Sequence, residues 1–359
     1  MSVIVRTYAV ELKRQTELIA EAVSKAADVL KKGGLVALPT ETVYGLAANA
    51  LDSEAVRSIY LAKGRPTNNP LIVHISNLEM AKRCVSVWPD EAQILAESFW
   101  PGPLTMVLPR KKFIPDIVTG GGDTVAIRCP DNPIFRAVIE TCGFPLAAPS
   151  ANRSNHISPT MVEHVRISLG DKIPLILDGG VCRVGIESTV VDLSRLPEWR
   201  VLRPGMITKE EIDSVLTRAG KSFRVIFSSE NLNKSLSENI NIFEKAVLKS
   251  PGQLKRHYSP RTPLYLFDSM ELREIKSFFK NQGVEISDCV LIRIGESENE
   301  SPFAKEISMP RDPGKYAVNL YDTLYRCDEM KLKGIIVQMP EDTPAWQGIR
   351  DRLRRAAAK

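Results

Sequence analysis

At 359 residues, with 43% hydrophobic and 25% charged side chains, the chain has the composition of a soluble globular protein with apolar material for two or three domains. Its net charge of +5 (48 basic against 43 acidic residues) suits an anionic small-molecule ligand or a transient RNA contact, without demanding a nucleic-acid-binding protein. The cysteines (Cys84, Cys129, Cys142, Cys182, Cys289, Cys327) and histidines (His74, His156, His164, His257) are scattered and form no C-x-x-C pair, which argues against a metal site and for free thiols in a reducing compartment. No run has the apolar length of a membrane span, and residues 1–6 lack a signal-peptide layout, so a cytoplasmic location is expected.

Residues 15–32 carry Leu18, Ile19, Ala22, Val23, Ala26 and Leu30 at helical spacing and end at Gly33-Gly34, which predicts an amphipathic helix with a glycine stop. Apolar runs at 35–38 and 71–75 read as buried strands. The segment between them is the densest in chemistry. A small-hydroxyl turn, Pro39-Thr40-Glu41-Thr42, leads to a short helix. The cationic loop Lys63-Gly64-Arg65-Pro66 follows, and Asn68-Asn69-Pro70 after it. Cations and amide donors on loops held between strands suit a polyanionic ligand, usually a nucleotide, although such a short motif taken alone also fits a solvated turn. Pro89 opens a helix that runs to the turn at 100–105 and a strand at 106–108. Gly120-Gly121-Gly122 precede a strand at 124–127; they fit either a plain turn or a close ligand approach. A helix near 132–141 leads to an apolar strand that exits into Ala148-Pro149-Ser150-Ala151-Asn152, a loop of hydroxyls and backbone N–H groups suited to phosphate or carboxylate. Ser158-Pro159-Thr160 starts a helix, 175–177 and 189–193 are strands, and Thr208 to Glu211 is a capping box.

The composition shifts from 222 to 262. Residues 228–235 are polar and turn-rich, which reads as a linker, but it ends in the basic and aromatic SPGQLKRHYSP (250–260). From Pro263, apolar strands at 264–267, 290–294, 306–309 and 334–339 alternate with helices near 270–281, 314–329 and up to Ala357. This alternation predicts a small, mostly parallel α/β domain. The expected division is 1–218, a linker over 219–262, and 263–359.

Taken together the motifs PTETVYGL (39–46), KGRPTNNPLIVHI (63–75), SFWPGPLT (98–105), TVAIRCPDNP (124–133), APSAN (148–152), GIESTVVDL (185–193) and LRPGMIT (202–208) resemble, in order, a YrdC-type domain of the threonylcarbamoyl-adenylate synthases. The linker and the tail NLYDTLYRCDEMKLKGIIVQMP (319–340) are similar to the long form of that family. The resemblance implies an N-terminal open twisted α/β sheet with a large basic cavity, plus a smaller Rossmann-like domain behind a linker that folds back over the site. It also implies condensation of L-threonine, bicarbonate and ATP to threonylcarbamoyl-AMP with release of pyrophosphate, for threonylcarbamoyl modification of the adenosine next to the tRNA anticodon. By motif position, Thr42, His74, Arg128, Ala148 and Ser188 would contact threonine. Arg65, Asn69, Thr124, Ser150, Ser158, Arg203 and Tyr258 would contact ATP, with Asn152 near the same site. Lys63, beside the phosphates, and Arg65 form the candidate catalytic pair. Two departures stand out: Asp342 to Ile349 replaces a more glycine- and leucine-rich turn, and Cys129 replaces a small aliphatic residue.

The residue types fit that chemistry. A carbamate formed on threonine's amine must attack the α-phosphorus of ATP, so two anions are brought together and the site needs cations and positioned donors rather than an enzyme nucleophile. Lys63, Arg65 and Arg203 offset phosphate charge, and Arg128 suits a two-point grip on a carboxylate. Mg²⁺ would arrive with ATP, held mostly by phosphates and water, with no metal site of the protein's own. His74 also fits a hydrogen-bonded core histidine, Ser150 and Asn152 fit turn caps, and Tyr258 fits interdomain packing. Glu41 and Glu187 read as scaffold acceptors with no assigned chemistry. Two other classes stay open. One is an RNA-binding module holding tRNA or double-stranded RNA on the basic concave face and on Arg350, Arg352, Arg354 and Arg355. The other is a carbamoyl-transfer enzyme of hydrogenase maturation, for which the zinc-finger cysteine pairs are missing. Direct hand-over of the product to a threonylcarbamoyl transferase is a further expectation.

Overall fold

A computed structural model of the chain describes residues 3–6, 12–221, 224–225, 249–252, 256–296 and 300–358. The polar run 228–235 and residues 253–255 of the predicted linker lie outside them. Apolar spacing sets the first elements: β1 (Val3–Arg6), α1 (Leu12–Lys31), β2 (Val36–Leu38), β3 (Gly45–Asn49), α2 (Ser53–Lys63) and β4 (Ile72–His74). α1 buries Ala22, Val23, Ala26, Ala27 and Leu30 and stops at Gly33 in a left-handed conformation. Next come α3 (Leu78–Cys84), α4 (Asp90–Phe99), β5 (Leu104–Pro109), α5 (Asp116–Thr119), β6 (Thr124–Arg128), α6 (Pro133–Cys142), β7 (Leu146–Ala147) and α7 (Val162–Ser168). The first domain closes with β8 (Leu175–Asp178), β9 (Thr189–Arg195), β10 (Glu198–Arg203), α8 (Lys209–Arg218) and β11 (Arg224–Val225). The capping box at Thr208 forms as predicted, with Glu211 N–H donating to the Thr208 hydroxyl and Thr208 N–H to the Glu211 carboxylate.

The eleven strands form one mixed sheet in the order β1-β8-β2-β3-β7-β4-β6-β5-β9-β10-β11. β3 was not legible in the sequence. Gly45-Leu46-Ala47-Ala48-Asn49 has neither alternation nor β-branched residues, and it is a strand because β2 and β7 pair with it on either side. α7 begins at Val162, two residues after the Ser158-Pro159-Thr160 start that the sequence predicts.

The second domain comprises β12 (Leu264–Phe267), α9 (Leu272–Asn281), β13 (Cys289–Ile294), β14 (Lys305–Met309), α10 (Pro313–Glu329), β15 (Gly334–Gln338) and α11 (Gln347–Ala357). Its four strands are all parallel, in the order β12-β15-β13-β14, as the strand–helix alternation predicts. The main core holds no residue of this domain. A second core crosses between the domains: Val43, Ile157 and Ile186 pack with linker Tyr258 and with Tyr316, Leu320, Tyr321, Trp346 and Ile349. Burial of those side chains presses α10 and α11 against the loops that carry the sequence motifs. The departing segment 342–349 takes part in this docking, since Trp346 packs edge-on to Tyr316 and Gly348 lies against Gly205.

Candidate active site

β4 and β6 run parallel with His74 opposite Arg128 and Ile72 opposite Ala126, so these four side chains share one face of the sheet. Ile72 and Ala126 join Val107, Val190 and partly buried Leu202 in an apolar cluster separate from the main core, which floors the concave face. At one end of this floor, Arg128 is ion-paired to Glu41 at 2.7 Å and its Nε donates to the Gly102 carbonyl at 3.2 Å. Both members of the pair are buried. Burial and neighbouring Arg128 depress the pKa of His74 to about 3, so its imidazole is neutral, and Nδ1 has no partner among the described residues. Thr42 faces the same cavity, its hydroxyl 2.9 Å from that of Thr40. Ala148 and Ser150 complete that wall.

The cations converge from the other side. Arg65 donates from Nε to the Asn69 carbonyl at 3.1 Å, and from Nη2 to Asn69 Oδ1 at 2.6 Å and the Pro70 carbonyl at 2.9 Å, leaving Nη1 for a ligand. Burial lowers its pKa to about 10. Arg203 donates to the Ser188 carbonyl and hydroxyl, both at 3.1 Å, and that hydroxyl lies 2.8 Å from Thr105 Oγ1. Lys63 does not reach the cavity in this conformation. Its Nζ donates to the Ser150 and Asn152 carbonyls at 2.5 Å each, bracing the Ser150–Asn152 loop, and burial followed by Arg65 pushes its pKa well below the ordinary lysine value. Thr124 also lies off the cavity. It begins β6, two residues before Ala126, while the Pro70 that accepts from Arg65 lies two residues before Ile72, so Thr124 and Arg65 share one end of the strand pair.

The linker covers the site. Pro251, Gly252, His257 and Tyr258 line the cavity, and Lys249 anchors the crossing segment to β9 through Asp192 at 2.9 Å. Tyr258 is buried in a left-handed conformation (φ 60°), and its hydroxyl has no partner among the described residues. With these residues in place the cavity is about 40 Å³, far smaller than the large basic cavity the resemblance implies. Four linker residues, Pro251, Gly252, His257 and Tyr258, stand in its wall. A larger cleft of about 410 Å³ opens between Arg153, Ile157 and Tyr325, but it holds none of the candidate site residues; His74 Nδ1, His257 Nδ1 and the Tyr258 hydroxyl, buried and without partners among the described residues, belong to residues that line the smaller cavity, which is where a polar ligand is needed.

Two carboxylates that sequence reasoning passed over belong to this architecture. Glu41 pairs with Arg128 behind the cavity wall, and Glu187 lines the cavity itself beside buried Ser158. Burial alone would raise its pKa, yet Arg352 and Arg203 outweigh that and hold it at about 2. Glu187 stands inside a quoted motif, but its partners Tyr321 and Arg352 are more than a hundred residues away, and no local pattern announces them. The basic-helix reading of 350–355 needs correction. Arg350 and Arg352 are buried, Arg350 against the Pro340 carbonyl and Asp342, and Arg355 pairs with Asp351, so this helix offers no row of cations to RNA. Among the described residues no three His, Cys, Asp or Glu side chains gather as metal ligands. No described helix is long and apolar enough to cross a membrane.

A profile of the Sua5–YciO–YrdC family, described as telomere recombination, matches residues 28–205, and one described as threonylcarbamoyl-AMP synthase, C-terminal domain, matches residues 207–358. The chain is 37% identical to the threonylcarbamoyl-AMP synthase of Pyrococcus abyssi over 92% of this chain and 93% of that one. It is 38% identical to the Bacillus subtilis threonylcarbamoyl-AMP synthase, covering 93% and 92% of the two chains. The crystal structure of P. abyssi Sua5 complexed with L-threonine is similar across 99% of this chain and 98% of that one, with a TM-score of 0.82 and 34% identity.

Proposed function

Because the chain belongs to the threonylcarbamoyl-AMP synthase family, we propose that it condenses L-threonine, bicarbonate and ATP to threonylcarbamoyl-AMP in the cavity between β4, β6 and the linker. The observation that carries this reading is the convergence of Arg65 and Arg203 on one cavity whose far end holds Arg128 and neutral His74. The reaction needs such a division. Threonine's amine attacks bicarbonate-derived carbon dioxide and loses a proton, giving a carbamate. A carbamate oxygen then attacks the α-phosphorus, and the bond to pyrophosphate breaks. Arg65 and Arg203 offset charge on the phosphates, with Asn69, Ser150, Asn152 and Ser158 around them, while the apolar floor leaves room for an uncharged part of the nucleotide. Thr124 stands at the Arg65 end of the floor and would meet ATP there. Arg128, Thr42, Ala148, Ser188 and the His74 ring would hold threonine. Lys63 acts by fixing the Ser150–Asn152 loop and by its charge behind the phosphates.

A nucleotide is too large for the closed cavity, so the linker must lift before ATP enters and return over it, with Tyr258 sealing the site. Mg²⁺ would come with ATP. Glu41 and Glu187 are the nearby carboxylates, and both are ion-paired to arginines, so the metal's ligands would be phosphates and water. The product serves threonylcarbamoyl modification of the adenosine next to the tRNA anticodon, and a transferase must take it up. The division of labour is a catalytic domain over 1–218, a linker over 219–262 that first adds β11 to the catalytic sheet and then covers the site, and a docked domain over 263–359.

The test is pyrophosphate release from ATP with L-threonine and bicarbonate each present or omitted. Release that requires both is the expected result. Release indifferent to threonine would assign another acceptor, and none from folded protein with Mg²⁺ would remove the synthase reading.

A further inference from the structure

The second domain reaches the cavity wall through Arg352 and Tyr321, which meet at Glu187. Arg352, on α11, is 1% exposed, although its own domain gives it only Asp351 at 3.1 Å and the Gly348 carbonyl at 3.4 Å. Its remaining donors cross to the first domain. Nε donates to Glu187 Oε2 at 2.9 Å, Nη2 to the Glu187 carbonyl at 3.0 Å, and Nη1 to the Pro204 carbonyl at 2.6 Å. Tyr321, on α10, donates to the same Glu187 oxygen at 2.9 Å. The guanidinium carbon also lies 5.2 Å from the centre of the Tyr258 ring.

These contacts fall on chosen places. Glu187 immediately precedes Ser188, and Pro204 immediately follows Arg203. Ser188 and Arg203 are bonded to each other through two hydrogen bonds at the mouth of the β9–β10 pair. One planar guanidinium thus ties down the backbone on both sides of that pair and lies against the linker residue above it. Five donors in a fixed fork can hold three acceptors from two strands at once, which a lysine ammonium cannot do in the same geometry. Among the described residues Arg350, two residues earlier on the same helix and likewise buried, bonds only within its own domain, to Pro340 and Asp342.

We propose that Arg352 is a positioning residue of the synthase site: it comes from the second domain and sets Ser188, Arg203 and Tyr258 in register for substrate. The inference rests on the synthase reading. It also gives the second domain a specific task, since undocking it would release both strand ends together.

The experiment compares full-length Arg352→Gln, Arg352→Lys and Arg350→Gln with the unaltered protein, reading thermal midpoint, L-threonine binding by calorimetry, and threonine-dependent pyrophosphate release resolved into kcat and KM. Both glutamine variants remove a buried arginine from one helix and should lower the midpoint. Only Arg352→Gln should also weaken threonine binding and kcat/KM, by about tenfold or more, the loss typical of a charge-assisted hydrogen bond. Arg352→Lys should recover part of that loss. Equal threonine binding and equal kcat/KM in folded Arg352→Gln and Arg350→Gln would overturn the proposal, leaving Arg352 a packing residue. Should Arg352→Gln fail to fold, Glu187→Gln takes its place, because it keeps the shape and weakens the same clamp; unchanged threonine binding there overturns the proposal equally. An unaltered protein without threonine-dependent release defeats the synthase reading instead, and the calorimetric comparison still decides the role of Arg352.

Discussion

Gly185 lies so close to Val318 that a Cβ on the glycine would sit 2.4 Å from the Val318 Cα, and 2.3 Å from the Ala317 carbonyl oxygen. The glycine is also left-handed, with φ 81°. The loop that presents Glu187 and Ser188 therefore meets the second domain backbone to backbone. Gly185→Ala should wedge α10 away from that loop and cost about 1–3 kcal/mol, the usual penalty of overpacking. The expected outcome is a lower thermal midpoint together with faster proteolysis between the domains. A variant as stable and as protease-resistant as the parent would mean that the interface gives way easily.

Gly252 has the same kind of relation to the ligand side. A Cβ there would stand 2.6 Å from Arg203 Cδ and 3.0 Å from the Tyr258 hydroxyl, and its φ is 84°. Gly252→Val should prevent the linker from seating over Arg203. We expect pyrophosphate release to fall at least tenfold, by analogy with other misplaced site groups. A fragment ending at residue 249 makes the stronger form of this prediction. Its main core is complete without the second domain, so it should fold, and it should be nearly inactive. Full activity in that folded fragment would remove any need for a covering linker.

Arg65 keeps three of its hydrogen bonds for Asn69 and Pro70 and so arrives at the cavity already oriented. Arg65→Ala should weaken ATP by about tenfold or more, since a charge-assisted hydrogen bond contributes roughly 1.5–3 kcal/mol. Threonine binding, at the Arg128 end, should change far less. Titration calorimetry with each substrate separates the two, and equal losses for both would place Arg65 elsewhere in the mechanism.

Acid should loosen the closed linker. Burial, aided by Arg65, Lys63 and Arg203 against the opposing pull of Glu187, holds His257 at about 3, below its ordinary 6.5. Its folded pKa is depressed, so the unfolded or opened form binds the proton more readily. The stability it confers is present above 6.5 and is lost as pH falls toward 3; His74 adds a loss of the same sign. Glu187, held at about 2 against an ordinary 4.5, contributes its own loss only below 4.5. The thermal midpoint should therefore fall between about pH 7 and about pH 5, before carboxylates matter, and fall less in His257→Asn. A parallel decline in parent and variant would show that His257 is not the group responsible.

Much of this protein was written in local pattern. Helical spacing marked α1, the strand–helix alternation marked the second domain, and the capping residue Thr208 marked α8, because each depends on side chains a few positions apart. The motif loops were equally legible: Thr42, Arg65, His74, Arg128, Ala148, Ser150, Arg203 and Tyr258 do line one cavity. What the sequence could not supply were relations between distant segments. β3 is a strand only because β2 and β7 flank it. Lys63 reads as a phosphate-facing cation, yet its ammonium is taken up by carbonyls nearly ninety residues away. The arginines of 350–355 read as a basic face, but docking turned Arg350 and Arg352 inward, where Arg352 meets Glu187. Burial and hydrogen-bond partners are properties of the packed chain, and a charge that looks solvated in one dimension acquires its role only when the fold removes it from water.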